Sequence, residues 1–319
     1  REGAAKKKLS VVMMAYNQAG FIDEAIQSVI SQHKPFDWEL LIGDDASLDN
    51  TAEVVSKWVN EYPQQIFYYR HEKNIGLHKN YQFLVEKCAG EYIALLEADD
   101  YWVDANKLQL QVALMDEDRE ISFSFTHADT VDVHGALMKR TDFCLPQVFE
   151  FDYYVANYIN PPNNTIVFRK SCEPAAYPEW FFSIRQWDTA LHYLRGLNGK
   201  VGFVPINGLA WRRHEHATSF SSQFGGTGRY KDWLILFREM ERIMPQHLKK
   251  YFKAKYPAYE SLAIVYLKDR NYWLFVRYSY LLFVNMIVNM PAKPLQICRN
   301  YFWKIRNIRK YRSPNKIED

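Results

Sequence analysis

Cysteine is scarce and poorly placed for metal or disulfide chemistry. The four in this 319-residue chain, Cys88, Cys144, Cys172 and Cys298, form no CxxC pair. That argues against a zinc knuckle or a dense disulfide framework and fits a reducing, cytoplasmic setting. Net charge is small as well, at +3, so nothing in the overall balance calls for a nucleic-acid partner. Neither GxGxxG nor GxxxxGKS/T follows an apolar run, which removes the glycine cradles that hold phosphate in other nucleotide binders. The basic start, Arg1 to Lys8, is not followed by a long apolar run with a cleavage-like end, so no signal peptide is expected. The most apolar stretch, 272–290, is interrupted by Arg277, Asn285 and Asn289, which argues against a transmembrane span.

What is present in the first third is an alternation of short apolar runs and longer amphipathic ones, the pattern of successive βαβ units on a parallel sheet. Strands are expected at 9–15, 38–43, 66–69 and 91–96, with helices at about 21–32, 51–62 and 79–88. In the first helix Ile22, Ala25, Ile26, Val29 and Ile30 recur at helical spacing. Two acidic clusters fall at strand ends: Asp44-Asp45, and Glu97-Ala98-Asp99-Asp100. Ligands of such sheets bind outside the carboxyl ends of the strands. A nucleotide site lined with carboxylates, and lacking a glycine cradle, has to hold phosphate through a metal. Three acids packed after an apolar strand repel one another unless a cation or a hydrogen-bond network compensates. A divalent ion held by Asp99 or Asp100 would bridge the two phosphates of a nucleotide diphosphate; the bland alternative is a strand-end turn whose acids cap a helix. Asp44-Asp45 is equally double-sided, a turn or a contact to base and ribose, while Asp49 or Asn50 caps the following helix.

Between about 121 and 204 the periodicity is mixed, with β-like pieces at 122–126 and 165–168 among Pro-rich and Asn-rich turns, as expected of an acceptor-side region. From Arg229 onward the chain reads as helical and mixes aromatic, aliphatic and basic residues. Its apolar segment is either a core helix or an interfacial one backed by Lys304, Arg306, Arg309, Lys310 and Arg312. Gly225 to Gly228 reads as a lid or a plain loop.

The ordered set Ser10-Val11-Val12-Met13-Met14-Ala15-Tyr16-Asn17, Gly43-Asp44-Asp45-Ala46-Ser47, Asn74-Ile75-Gly76 and Gly90 through Asp100 resembles glycosyltransferase family 2 over roughly the first 130 residues. The resemblance implies a GT-A fold, an α/β Rossmann-like domain with a mostly parallel sheet, followed here by a C-terminal helical region. The implied layout is a catalytic domain at 1–228, with a nucleotide-sugar half at about 9–120 and an acceptor half at 121–228, and a helical region at 229–319. It also implies inverting transfer from a nucleotide-sugar, a UDP-sugar above all, to a carbohydrate, lipid-linked or glycoprotein acceptor. By it, Ala15 and Tyr16 line the base pocket, Asp45, with Asp44 beside it, contacts the nucleoside, and Glu97-Ala98-Asp99-Asp100 stands for the DXD motif that binds ribose and Mn2+ or Mg2+. Glu97 departs from the usual first Asp of that motif. Asp188, in Arg185-Gln186-Trp187-Asp188, matches the family's acidic base, and Arg212 and His214 match its Arg-x-His loop, as a diphosphate contact and a metal ligand. Trp187 is read either as a sugar-stacking ring or as core. The expected location is the cytoplasm, or the cytoplasmic face of the inner membrane with peripheral contact through the C-terminal region. The competing readings are a nucleotide-sugar-binding protein without transfer activity and a sugar nucleotidyltransferase, which lacks its glycine-rich, Arg-containing signature here.

Overall fold

The computed structural model describes residues 7–213, 228–249, 256–289 and 294–306. They divide into two compact units, the first made of 7–177 and 187–213, the second of 178–186 together with the described residues from 228 onward.

The first unit is built on β1 (Lys7–Ala15), α1 (Ile22–Ile30), β2 (Trp38–Asp44), α2 (Thr51–Glu61), β3 (Ile66–Arg70), α3 (Leu77–Lys87) and β4 (Gly90–Glu97). The four strands pair in parallel in the order β3-β2-β1-β4. A strand covered on both faces is apolar along its length: Leu9, Val11, Val12 and Met13 of β1 and Ile93 to Leu96 of β4 are fully buried. The polar exceptions satisfy one another. Ser10 Oγ donates to Glu39 Oε1 at 2.7 Å and accepts the Gly90 N–H at 2.8 Å, while Glu39 Oε1 also accepts the Ala89 N–H. A Cβ on Gly90 would meet the Ser10 backbone nitrogen at 2.4 Å, so only glycine fits there.

The chain then adds β5 (Tyr101–Trp102), α4 (Lys107–Glu117), β6 (Ile121–Val131), β7 (Leu137–Thr141), β8 (Val148–Phe149), α5 (Phe151–Ala156), β9 (Val167–Arg169), α6 (Trp187–Gly196) and β10 (Lys200–Arg212). β9 lies antiparallel between β4 and β6, β10 runs parallel to β6, and among the described residues the sheet reaches ten strands. The expected α/β architecture with a mostly parallel sheet is what forms. Two elements have no clear sequence signal. In α4 the buried face includes Lys107 and Gln111 beside Leu108, Val112 and Met115, so its apolar stripe is broken; Gln111 is accommodated by donating to Ser124 Oγ and the Thr165 carbonyl. In β10 the register shifts on both sides of Asn207, and such bulges interrupt the two-residue alternation.

The second unit contains α7 (Gly228–Ile243), α8 (Tyr256–Lys268), α9 (Tyr272–Asn289) and α10 (Pro294–Arg306). Ala263, Leu282 and Tyr301 form the centre of a small core shared by α8, α9 and α10. Ser279 and Tyr301 hydroxyls meet at 2.6 Å, and Lys304 pairs with Glu260 at 2.8 Å. Arg185 pairs with Asp232 at 3.4 Å, tying 178–186 to α7. Among the described residues no helix is long and apolar enough to cross a membrane.

Candidate active site

Parallel register alone brings the two acidic clusters together. Ala15 pairs with Asp44 on one side of β1, and Met14 pairs with Glu97 on the other. The clusters therefore flank the end of β1 two strands apart, about 10 Å at the backbone. Strand order reverses there, since the chain runs outward from β1 to β3 and crosses back to β4, and such a reversal opens a crevice for ligands. Ala15 is buried at this mouth and Tyr16 is exposed on it. Asn17, in the left-handed region at φ 54°, donates its N–H to Ser47 Oγ and accepts the Leu48 N–H on its side chain. The loops after β1 and β2 thus form one surface.

Asp44 and Asp45 are both buried but hold different partners. Asp44 is completely buried, accepting the Ser47 N–H at 2.8 Å and the Tyr68 hydroxyl at 2.5 Å, with Arg70 Nε at 3.7 Å. Such a group shapes the loop from beneath. Asp45 accepts backbone N–H groups from Ile75 and Gly76 at 2.6 and 2.9 Å. It thereby anchors the Asn74-Ile75-Gly76 loop that leads into α3. A carboxylate has about four lone-pair sites, so two accepted bonds leave Asp45 capacity for a further donor. Asp49 accepts the Ala19 and Thr51 N–H groups and serves the backbone.

One carboxylate oxygen from each of Glu97, Asp99 and Asp100 lies within 4.8 Å of the others. The carboxyl groups of Glu97 and Asp100 are both pushed above the usual range, by burial first and then by neighbouring acids. Asp188 is one of the charges acting on Glu97, so α6 carries it within electrostatic range of that carboxyl. Asp188 lies in the first turn of α6, and its Oδ1 accepts the Thr189 N–H at 2.7 Å.

Asp100 is buried and held on both oxygens: Oδ1 accepts the Arg212 N–H at 2.7 Å and Oδ2 accepts Asn164 Nδ2 at 2.5 Å. Asn164 also accepts the Glu97 N–H through its Oδ1, at 3.2 Å. It braces both ends of the cluster from the turn at 163–165. This residue was not singled out from sequence; the only signal is the run Pro161-Pro162-Asn163-Asn164, a turn composition without a stated role. The Arg212 guanidinium donates to the Asp99 carbonyl at 2.7 Å, pairs with Glu24 of α1, and lies 4.9 Å from the rings of both Phe21 and Tyr101. Its Nε is buried without a hydrogen-bond partner among the described residues. Trp187 is buried, 5.1 Å from the Tyr81 ring and 5.7 Å from His78, so it packs α6 onto α3. His214 and the segment 225–227 lie outside the described residues.

The family model for glycosyl transferase family 2 matches residues 10–173, just over half of the chain. An uncharacterized protein of Mycobacterium tuberculosis is 31% identical over 230 residues, covering 70% of this chain and 63% of the relative; the chain thus spans less than two thirds of that relative's length. The putative teichuronic acid biosynthesis glycosyltransferase TuaG of Bacillus subtilis is 33% identical over 121 residues, 38% of this chain and 46% of TuaG. Among solved structures, Staphylococcus aureus TarS 1-349 in complex with UDP-GlcNAc superposes with a TM-score of 0.62 at 15% identity, covering 96% of this chain and 93% of that one. The mannosyltransferase PcManGT of Pyrobaculum calidifontis, in complex with GDP-Man and Mn2+, gives 0.59 at 14% identity, covering 97% and 84%. At such identities the likeness is one of fold.

Proposed function

Because the chain belongs to glycosyltransferase family 2 and has its GT-A fold, we propose that it is an inverting transferase moving a sugar from a nucleotide diphosphate sugar, a UDP-sugar foremost, to a hydroxyl of a carbohydrate, lipid-linked or glycoprotein acceptor. The observation that supports it best is that Asp188 lies within electrostatic range of Glu97, whose carboxylate clusters with those of Asp99 and Asp100 at the end of β4. Inversion by single displacement needs a base on the acceptor side and charge compensation on the leaving-group side.

On this reading Asp188 accepts the proton of the acceptor hydroxyl as its oxygen attacks the anomeric carbon. The bond from that carbon to the diphosphate oxygen breaks on the opposite face, and its electron pair leaves with the nucleotide. Ala15 and Tyr16 line the base pocket, and Asp45 takes a nucleoside donor while anchoring the 74–76 loop. Asp44 supports that pocket from beneath. Oxygen donors crowded to this degree, with ionisation opposed by their own repulsion, suit a hard divalent cation. Asp99 and Asp100, with Glu97 and His214 as further candidates, would hold Mn2+ or Mg2+, which supplies charge neutralisation at the diphosphate. Arg212 adds fixed positive charge beside the cluster and braces its turn; a direct contact to diphosphate requires Glu24 to release it.

The test compares wild type with Asp188→Asn in the presence of Mn2+, a panel of nucleotide-sugars and a defined acceptor. The expected result is a loss of turnover of about 10²- to 10⁴-fold with donor affinity retained, the range set by removing a general base. Equal turnover of the two proteins removes Asp188 as the base.

A further inference from the structure

A helix that is apolar all round belongs in an interior, yet α9 buries only one side. Leu282 lies in the small core and Phe275, Tyr278 and Phe283 pack around it. On the other side Trp273, Val276, Tyr280, Val284, Ile287 and Val288 are exposed, several of them by more than 60%. Their spacing of three, four, four, three and one residues places them along one face of the helix. The strip continues onto α10. There Phe302 and Trp303 are exposed, with exposed Arg299 and Arg306 at helical spacing on either side, and Phe302 lies 6.2 Å from Phe283 of α9. Arg277 stands within the α9 strip, 5.6 Å from the Trp273 ring.

Charge gives the second observation. Residues 228–319 hold 19 Lys and Arg against 7 Asp and Glu, while the remainder of the chain holds 21 against 30. The small net charge of the whole protein hides a basic segment appended to an acidic one. Burying this strip against a second copy would bring two strongly basic segments together, which their charge opposes. An anionic lipid surface is attracted to the same charge, and its headgroup zone is where Trp and Tyr sit with one end apolar and one end wet. We propose that the exposed face of α9 and α10 is a docking surface for an anionic membrane, on which the protein lies without spanning it. The proposal does not depend on which sugar is transferred, and vesicle binding is read without donor or turnover.

The experiment uses the full chain and co-flotation with vesicles of phosphatidylcholine alone or of phosphatidylcholine and phosphatidylglycerol at three to one. Wild type is expected to float with the mixed vesicles, weakly with the neutral ones, and to be released by added salt. Trp273→Ser with Ile287→Ser should weaken binding at least tenfold, and Arg299→Gln with Arg306→Gln by roughly 30-fold, two charges near an anionic surface. These side chains are exposed, and circular dichroism melts check that both variants fold as wild type does. Absence of wild-type binding at low salt overturns the proposal, as does wild-type affinity in the Trp273/Ile287 variant. A dimer in sedimentation equilibrium that the same variant abolishes, with no vesicle binding, assigns the face to a second copy and also overturns it.

Discussion

At the level of single residues, the site depends on carboxylates whose neighbours decide what each can do. Asp44 and Asp45 are adjacent and both buried, yet one accepts from Ser47 and Tyr68 beneath the loop and the other from the Ile75 and Gly76 N–H groups. Beneath the base candidate, His192 of α6 is fully buried against the Tyr154 hydroxyl at 3.2 Å and near the Phe123 ring. Burial, aided by the Arg195 charge, lowers its pKa from 6.5 to about 3. The unfolded chain therefore takes up a proton below pH 6.5 that the folded protein refuses until about pH 3. Stability from this group is complete above pH 6.5 and falls by up to about 1.4 kcal/mol per pH unit below it. Thermal melts at pH 7 and pH 5 should show a smaller drop for His192→Gln than for wild type. Parallel drops would mean that His192 is not the residue that titrates.

At the level of elements, the proposed mechanism rests most on α6, which carries the candidate base Asp188 in its first turn and is locked at its other end. Arg195 lies over the Phe168 ring, donates to Glu173 Oε2 at 2.7 Å and reaches the Tyr81 hydroxyl of α3. Tyr81 and Tyr177 both donate to the other Glu173 oxygen. Both members of this ion pair are buried, and removing one partner of a buried pair leaves an uncompensated charge at a cost of about 3–5 kcal/mol. Glu173→Gln should lower the urea midpoint accordingly and reduce kcat more than donor affinity, because α6 loses its anchor on α3. A Glu173→Met, Arg195→Met double variant should recover part of the stability. If the double variant is no more stable than Glu173→Gln, the loss does not come from a stranded charge. The contact of Trp187 with Tyr81 and His78 belongs to the same joint, which is why that ring serves packing.

For the molecule as a whole, a nucleotide-sugar that binds only the folded state raises apparent stability by mass action, by about 2.7 kcal/mol at 100 times its dissociation constant. A thermal-shift screen with Mn2+ should pick out a UDP-sugar, and the shift should shrink in Asp99→Ala or under chelation. A flat response to every nucleotide-sugar tested would remove donor binding from the proposal; an undiminished shift in Asp99→Ala would remove the metal from it. The sequence alone determined the alternation of strands and helices through 97, and hence the placement of Asp44-Asp45 and Glu97 to Asp100 at strand ends, because apolar periodicity and turn residues are local properties. It also carried the family resemblance, since that rests on order and spacing. Only the tertiary structure decided which of the acids face inward, that Asn164 braces Glu97 and Asp100 from 64 residues or more away, and that α6 brings Asp188 to act on Glu97. Those outcomes depend on strand register and on contacts between distant segments, which residue order does not encode locally. The acidic clusters at the strand ends were legible one by one; their placement on either side of β1, and the approach of Asp188 to Glu97, are properties of the folded sheet.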